Sequence, residues 1–292
     1  MRMTNEMKPL VLVTGGTGKQ GGATVAALLP ANKTRIRVLA RDPKSPKAQR
    51  LAQQGVELAS GDLDDPAAVQ AALQGVSAAF SVQTFEGKGG PEAEERQGNA
   101  FAEAVKAAGG VHLVYSSVDG AERTSGVPHF ESKWRIEQHI ARLGLPATIL
   151  RPVAFMENFA TSGFPLAMFF GMIKATMGAT RKLQLVAVSD IGWFAARALE
   201  SPESYKDRKI AIAGDELSLA EILAVYKRVV GKAPAVAPLP GFAPRLMLPK
   251  DMYLMLRWFA EAGYKVDIAA VRREHPGALT FEAWLRQSAG GK

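Results

Sequence analysis

The chain has 292 residues, 47% hydrophobic and 22% charged, a balance that suits one large α/β domain or a large domain with a smaller one attached. Because it contains no cysteine and only four histidines, its composition excludes disulfides, thiolate metal sites and thiol redox catalysis, and we expect no bound metal. The net charge is +8 but the basic residues are scattered, so we expect cations around a polyanionic cofactor and treat nucleic-acid binding as the weaker alternative.

No apolar run reaches the roughly 18 residues that a membrane span needs. The nearest candidate, residues 164–173, is shorter and is interrupted by Pro165 and Gly171. Residues 1–8 are polar and lack the apolar core of a signal peptide. We therefore expect a soluble, cytoplasmic protein.

The first half of the chain alternates short apolar runs with longer helical patterns, which is typical of βα units around a parallel sheet. The predicted strands are residues 10–13, 36–40, 56–59, 78–82, 111–115 and 147–150. These strands are apolar on both faces, so helices should cover each side of the sheet. The sequence therefore predicts an α/β fold with a Rossmann-type, doubly wound parallel sheet.

The pattern changes after the sixth predicted strand. Residues 155–179 are rich in Met, Phe and Gly and fit no strand repeat, and the proline-rich segment 233–249 is interpreted as an ordered loop. The predicted division is a Rossmann domain over residues 7–155, to which 183–213 return, and a smaller C-terminal α/β domain over 156–182 and 214–292. We expect the smaller domain to form a substrate-binding lid at the carboxyl edge of the sheet.

Two helix starts can be predicted in the second half. Asp190 is placed to cap a helix over residues 191–200. Ser218 and Glu221 have the S-x-x-E spacing of a capping box, which predicts a second helix start there.

A glycine turn follows the first predicted strand and precedes an amphipathic helix. It consists of Gly15, Gly16, Thr17, Gly18, Lys19, Gln20 and Gly21 and contains both GxxGxxG and GxGxxG spacings. Glycine permits the tight turn and lets backbone N–H groups approach a diphosphate, to which the helix N-terminus adds partial positive charge. This context predicts a dinucleotide site, in preference to a turn that serves packing alone.

The end of the second predicted strand distinguishes NAD from NADP, because NAD-specific domains place an acidic residue there for the ribose hydroxyls. This chain has Arg41 followed by Asp42. A guanidinium suits a 2′-phosphate, and Lys19 and Lys44 add positive charge nearby. We therefore favour NADP(H); the alternative is that Arg41 is a surface residue and Asp42 contacts the ribose.

Two further polar residues follow predicted strands, and each has two interpretations. Asp62 either accepts a hydrogen bond from the adenine amino group or caps the entry to the next helix, as Asp64 and Asp65 are expected to do. Gln83 either lies where the backbone passes the nicotinamide ribose or is a loop residue without function.

The order of these motifs resembles that of the NmrA-like family, atypical members of the short-chain dehydrogenase/reductase superfamily, and within it the subgroup that contains an NADPH sensor. The resemblance covers nearly the whole chain. The segments that carry it are 14–22, 40–43, 54–57 with 61–62, 115–117, 129–133, 151–152 with 155–158, and 188–192.

The resemblance implies a Rossmann core with a small C-terminal domain, NADP(H) binding, and often a regulatory rather than a catalytic role. By position, it assigns Gly15, Gly16, Thr17, Gly18, Lys19 and Gln20 to the diphosphate, Arg41 and Lys44 to the 2′-phosphate, Asp62 and Leu63 to adenine, Gln83, Thr84 and Phe85 to the ribose, Lys133 to the nicotinamide ribose, and Phe155, Met156, Glu157 and Asn158 to a segment that closes over the nicotinamide.

Active dehydrogenases of the superfamily use a Tyr-x-x-x-Lys pair, whose spacing places both side chains on one helix face. Lys133 is present here, but His129 stands where the tyrosine is expected. His129 is a candidate proton donor near neutral pH. The alternative, which the missing tyrosine favours, is that His129 only begins a helix and Lys133 binds cofactor without turnover.

Three hypotheses follow for the function. The favoured one is a redox sensor with little or no dehydrogenase activity, which binds NADP(H) and acts on a protein partner as a monomer or homodimer. The second is an NADPH-dependent reductase of quinones or similar small apolar electrophiles, an activity that some similar proteins have. The third, a nucleic-acid-associated regulator, rests on the positive charge alone.

Overall fold

The structure is a computed structural model that describes residues 8–160 and 164–290. The predicted domain ranges also include residues 7, 161–163 and 291–292, which lie outside the described part. The chain divides into two compact units, each assembled from separate stretches of sequence. Among the described residues, unit 1 comprises 8–117, 132–151 and 191–210, and unit 2 comprises 118–131, 152–160, 164–190 and 211–290.

Seven strands form the main sheet, in the order β3-β2-β1-β4-β5-β6-β9. They are β1 (Leu10–Val13), β2 (Arg35–Ala40), β3 (Glu57–Ser60), β4 (Val76–Ser81), β5 (His112–Ser116), β6 (Ala147–Pro152) and β9 (Lys209–Ile212). The six strands from β1 to β6 pair in parallel. The predicted Rossmann-type α/β fold is thus confirmed, and the chain reverses its direction of travel across the sheet at β1, the usual place for a ligand in such folds.

Helices follow the strands of this sheet. They are α1 (Lys19–Ala31), α2 (Pro46–Gln53), α3 (Pro66–Ala72), α4 (Gly90–Ala107), α5 (Pro128–Arg142), α7 (Val188–Glu200) and α8 (Pro202–Tyr205). A core of unit 1 joins strand residues Leu12 and Leu113 to helix residues Phe101, Val105 and Ile136, all of them almost fully buried. Removing these side chains from water is the main force that holds the helices to the sheet.

A smaller sheet in unit 2 has the order β10-β8-β7. Its strands are β7 (Ala154–Phe155), β8 (Lys182–Val186) and β10 (Asp215–Ser218), with β8 and β10 antiparallel. The helices of this half are α6 (Phe164–Met177), α9 (Leu219–Val230), α10 (Ala243–Met247), α11 (Lys250–Glu261), α12 (Ile268–Glu274) and α13 (Phe281–Gly290), with short 3-10 helices at Ala121–Arg123 and Met156–Phe159. The proline-rich segment expected to be a loop thus contains one short helix, α10.

Aromatic side chains form the core of unit 2. The ring of Phe159 lies 6.0 Å from that of Phe170 and 5.5 Å from that of Phe281, and Tyr226 packs edge-on against both. The Tyr226 hydroxyl donates to the carbonyl of Phe159, and burial raises the pKa of Tyr226 to about 12. The Met- and Phe-rich segment after β6 therefore contributes to a packed core.

The predicted role of Asp190 as a helix cap is wrong. Helix α7 begins at Val188, so Asp190 lies inside its first turn. Its carboxylate accepts the backbone N–H of Leu279 at 3.0 Å and lies 3.3 Å from His275 Nε2. A contact with a distant segment has thus replaced the local cap, and sequence spacing gives no information about such a contact.

None of the helices within the described ranges combines the length and apolar character that crossing a bilayer requires.

The predicted capping box at the start of α9 is confirmed. Ser218 Oγ accepts the N–H of Glu221, and the Glu221 carboxylate accepts the N–H of Ser218 at 2.7 Å. These reciprocal bonds satisfy donors that the first turn of a helix otherwise leaves unpaired.

Replacing Ser218 with alanine should destabilise the protein by about 1 kcal/mol, because it leaves a helix N-terminal N–H without its acceptor. Urea unfolding followed by circular dichroism measures this change. Ser288→Ala, an exposed substitution in the last helix, is the matched control and should have little effect. Equal stabilities of the two variants would contradict the assigned role of Ser218.

Candidate functional site

The glycine turn of unit 1 is a site of close backbone approach. Gly15 has a φ of +62°, a conformation that side chains disfavour. A Cβ at Gly16 would lie 2.7 Å from the side chain of Val38, and one at Gly21 would collide with the carbonyl oxygen of Gly15. Each of these glycines is therefore required by the local geometry, which brings the turn, β2 and α1 together.

The turn leads directly into helix α1. Gly18 is the N-cap residue and supplies no side-chain acceptor, while its own N–H donates to Gly15 O at 2.8 Å. The N–H groups of the first helical turn are therefore left without a side-chain cap, beside the exposed residues Thr17 and Lys19. A helix end without a side-chain cap, preceded by a glycine turn, fits a phosphate group.

Gln20 is held at the carboxyl end of β5. The Ser116 hydroxyl donates to Gln20 Oε1 at 2.6 Å, so the first turn of α1 is tied to the strand end. On the other side of the turn, Thr14 Oγ1 accepts the N–H of Val82 at 3.0 Å. These two side-chain contacts tie the turn to the end of β4 and the first turn of α1 to the end of β5.

At the end of β2, the Arg41 side chain is exposed and the Asp42 carboxylate is engaged in a local hydrogen bond. The Arg41 side chain is 85% exposed, and its Nε lies 3.9 Å from Asp62 Oδ2. The Asp42 carboxylate accepts the backbone N–H of Lys44 at 2.9 Å and so closes a local turn. Apart from this weak surface ion pair, the Arg41 guanidinium makes no interaction within the described residues that would compete with a ligand.

Asp62 does not cap the following helix. Asp65 is the N-cap of α3, where its carboxylate accepts the N–H groups of Ala67 and Ala68. The Asp62 carboxylate accepts the N–H of Asp64 at 2.9 Å, and Asp62 lies half-buried with Leu63 just after β3. The capping interpretation of Asp62 is therefore removed, and its contact with adenine stays a prediction.

The segment after β4 contains the predicted ribose-lining residues. Gln83 is buried and its amide nitrogen donates to Ser81 Oγ at 2.9 Å, while its oxygen has no hydrogen-bond partner within the described part of the chain. Thr84 is exposed and accepts the N–H of Glu86, and Phe85 is half-buried. A buried amide oxygen without a partner is an acceptor that a ligand can satisfy.

Lys133 lies in a buried ion pair that the sequence did not indicate. Its Nζ is 2.9 Å from the carboxylate of Glu94, a fully buried residue of α4, and the Ser132 hydroxyl donates to the same carboxylate at 2.5 Å. The Tyr115 ring lies 6.0 Å from Lys133 Nζ, and burial, with the nearby Glu94 charge, raises the pKa of Tyr115. Glu94 shares one stripe of α4 with buried Gly98, Phe101 and Val105, and this helical spacing was the signal that could have identified it.

His129 also has a partner, and this contact lies within unit 2. His129 Nδ1 lies 2.5 Å from Asp251 Oδ1, and the side chains are 6% and 17% exposed. The ring of Phe130 packs edge-on against His129 and against Trp258 of the same helix as Asp251. A carboxylate that binds one imidazole nitrogen orients the ring and selects its tautomer. The separation of 122 positions along the chain explains why no sequence pattern indicated this pair.

The four residues expected to close over the nicotinamide all belong to unit 2. Phe155 is half-buried in β7, Met156 is buried and Asn158 is exposed. The Glu157 carboxylate accepts the N–H of Val188 at 3.0 Å and the indole N–H of Trp284 at 3.1 Å. Glu157 therefore joins three segments of unit 2, and the role of this stretch towards a ligand stays a prediction. The described residues contain no group of three or more His, Asp or Glu side chains arranged to hold a metal.

A family model described as the NmrA-like family matches residues 7–285. Among curated proteins, the NmrA-like family domain-containing oxidoreductase malD of Malbranchea aurantiaca is 28% identical over 96% of both chains. The NAD(P)H azoreductase of Xenophilus azovorans is 30% identical over an alignment that covers 76% of this chain and 74% of the azoreductase. Quinone oxidoreductase 2 of Escherichia coli is 29% identical over an alignment that covers 76% of this chain and 75% of the E. coli protein.

Solved structures show the same fold. The Citrobacter sp. triphenylmethane reductase complexed with NADP(H) superposes with a TM-score of 0.75 at 21% identity, covering 96% of this chain and 99% of that one. NmrA, described as a negative transcriptional regulator in complex with NADP, superposes with a TM-score of 0.77 at 18% identity, covering 96% and 95%. At these identities the likeness concerns the fold, which both a reductase and a regulator share.

Glu94→Gln should destabilise the protein by about 3 kcal/mol, because it leaves the buried Lys133 ammonium without its counter-charge. Denaturant unfolding measures the loss. Glu95→Gln is the matched control: it removes the neighbouring carboxylate, whose ion pair with Arg135 is at the surface and should contribute little. The double variant Glu94→Gln/Lys133→Met should recover much of the stability; if it were less stable than Glu94→Gln, the ion-pair interpretation would be wrong.

Proposed function

We propose, because this chain belongs to the NmrA-like family, that it binds NADP(H) at the glycine turn of unit 1 and uses it to reduce a small apolar electrophile such as a quinone or an azo compound. The observation that carries the proposal is the turn itself. It combines a glycine at positive φ, two glycines that no other residue could replace without a clash, and an uncapped helix N-terminus. These are the properties that a dinucleotide diphosphate requires.

Preference for NADP(H) over NAD(H) rests on the end of β2. Arg41 is exposed and its guanidinium is suited to two parallel hydrogen bonds with a phosphate. Asp42 is occupied by the N–H of Lys44, so it is a poor candidate for the ribose hydroxyls. We assign Arg41 and Lys44 to the 2′-phosphate, Asp62 and Leu63 to adenine, and Gln83, Thr84 and Phe85 to the ribose.

The reductase function is supported by the His129–Asp251 pair. When bound, NADPH supplies a hydride, and the reduced electrophile also gains a proton. We assign that proton to the His129 imidazole, because Asp251 holds Nδ1 and orients the ring. His129 stands four residues before Lys133 on α5, the position of the tyrosine in active members of the superfamily. A relative named as an azoreductase and one named as a quinone oxidoreductase support the substrate class.

Lys133 is our candidate for the nicotinamide ribose. Its ammonium is neutralised by Glu94, which also accepts from Ser132, so the side chain is positioned before any ligand arrives. Positioning of this kind reduces the entropy lost on binding. Phe155, Met156, Glu157 and Asn158 are assigned by resemblance to the segment that closes over the nicotinamide.

A redox sensor is the second candidate function. The observation that favours it is the absence of the tyrosine, together with a lysine whose charge is already compensated inside unit 1. In that case NADP(H) would change the affinity for a protein partner and no substrate would turn over. A fold neighbour is named as a transcriptional regulator and was solved with NADP.

Arg41→Ala should weaken NADPH binding about tenfold or more and leave NADH binding nearly unchanged, because it removes charge-assisted hydrogen bonds to the phosphate that NADH lacks. Titration calorimetry with each nucleotide measures both affinities. Arg50→Ala, an exposed cation on α2, is the control and should alter neither. Equal losses for NADPH and NADH in Arg41→Ala would mean that the arginine is misassigned.

His129→Phe should lower the rate of NADPH oxidation by about a hundredfold or more with a responsive quinone, because a positioned proton donor commonly contributes this much. Absorbance of NADPH with a panel of quinones, azo compounds and enones measures the rate. Asp251→Asn should lower the rate to a smaller extent. His139→Phe, at the other end of α5, is the control and should retain wild-type turnover.

The same assay separates the two candidate functions. Tight NADPH binding without turnover of any compound in the panel would support the redox-sensor function and exclude the reductase function. If neither NADPH nor NADH bound, both candidate functions would be excluded. Lys133→Ala is unsuitable for this purpose by itself, because it leaves the Glu94 charge buried and unpaired.

A further inference from the structure

An exposed surface in unit 2 combines large apolar side chains with positive charge. Phe242, Leu246 and Met247 are 66%, 76% and 54% exposed, and they lie on or beside α10. Arg245 and Lys250 are exposed on the same segment. We call these five residues the α10 surface. Adjacent large apolar side chains at this exposure are unusual on a water-facing surface and mark a site of interaction.

The α10 surface is supported from beneath. Ala243 and Pro244 are buried, and α10 packs against α6. The preceding proline-rich segment is fixed to α6 by a hydrogen bond from the N–H of Ala237 to Ala167 O at 3.0 Å. The exposed side chains are therefore presented outward by an anchored backbone.

The segment that carries this surface and the helix beneath it contain charges of a single sign. Residues 231–250 and α6 contain four cations, Lys174, Lys232, Arg245 and Lys250, and no acidic residue. No ion pair involves any of these four cations within ranges 8–160 and 164–290. The next acidic residue, Asp251, is mostly buried and is paired with His129. These two segments therefore present only positive charge to a partner.

We propose that the α10 surface binds peripherally to the surface of an anionic lipid bilayer. Phe, Leu and Met side chains that insert among acyl chains, flanked by Arg and Lys that meet anionic headgroups, are the two components of interfacial binding. A second copy of this chain fits less well, because a two-fold contact would oppose Arg245 and Lys250 to the same residues without any acidic partner. This proposal is independent of the proposed enzymatic function, since it involves neither the glycine turn nor His129.

Flotation of the full chain with vesicles tests the proposal. The protein should bind vesicles of phosphatidylcholine with phosphatidylserine and not vesicles of phosphatidylcholine alone, and added salt should weaken the binding. Leu246→Glu and Arg245→Glu should each lower the partition coefficient about tenfold or more, because each places negative charge at the bilayer surface. Lys106→Glu, the same kind of charge change on α4, is the matched control and should bind as wild type.

Several results would overturn the proposal. They are an absence of flotation with anionic vesicles, equal flotation with neutral vesicles, and wild-type binding by Leu246→Glu. Analytical ultracentrifugation adds a further one: a wild-type dimer that Leu246→Glu dissociates would make this surface an interface between copies. Thermal melting of Leu246→Glu without vesicles shows whether the variant is folded, so that lost vesicle binding is not mistaken for a folding defect. NADPH titration of the same variant shows separately whether the nucleotide site is intact.

Discussion

The close contact between the turn after β1 and the start of α1 is the constraint on which the candidate site depends. Gly21, in the first turn of the helix, packs directly against the carbonyl of Gly15, and Gly16 packs against Val38 of the neighbouring strand. A side chain at either position would push the helix away from the sheet. Because these residues are glycines, the helix N-terminus stays close to the strand ends, where its unpaired N–H groups can act on a ligand.

Other residues of unit 1 hold the glycine turn in position. Ser116 ties Gln20 to the end of β5, and Thr14 ties the turn to the end of β4. The central strands β1 and β5 are buried along their whole length and provide a rigid base. Side chains that follow the strand ends, among them Arg41, Asp62 and Gln83, are thereby gathered at one edge of the sheet. Loop residues on a rigid base are where α/β proteins usually carry their function.

Two of the buried ionisable pairs within the described residues involve the candidate site residues Lys133 and His129. Lys133 is paired with fully buried Glu94 in unit 1, and His129 is paired with Asp251 in unit 2. Desolvating such groups is costly, so a buried pair is weak evidence for stability alone. Both pairs involve residues of α5, at the positions to which the family resemblance assigns the tyrosine and lysine of active members. This coincidence supports a functional interpretation of both side chains.

What the sequence by itself determined is local. Strand and helix periodicity predicted the Rossmann-type sheet, the glycine spacing predicted the turn, and the S-x-x-E spacing predicted the capping box at Ser218, because each depends on residues a few positions apart. Tertiary structure alone decided which distant groups meet. Glu94 with Lys133, Asp251 with His129, and Asp190 with Leu279 join residues from separate segments, and no short-range pattern encodes such pairings. The Asp190 prediction failed for this reason: a carboxylate that could cap its own helix instead bonds to a segment that the fold brings beside it.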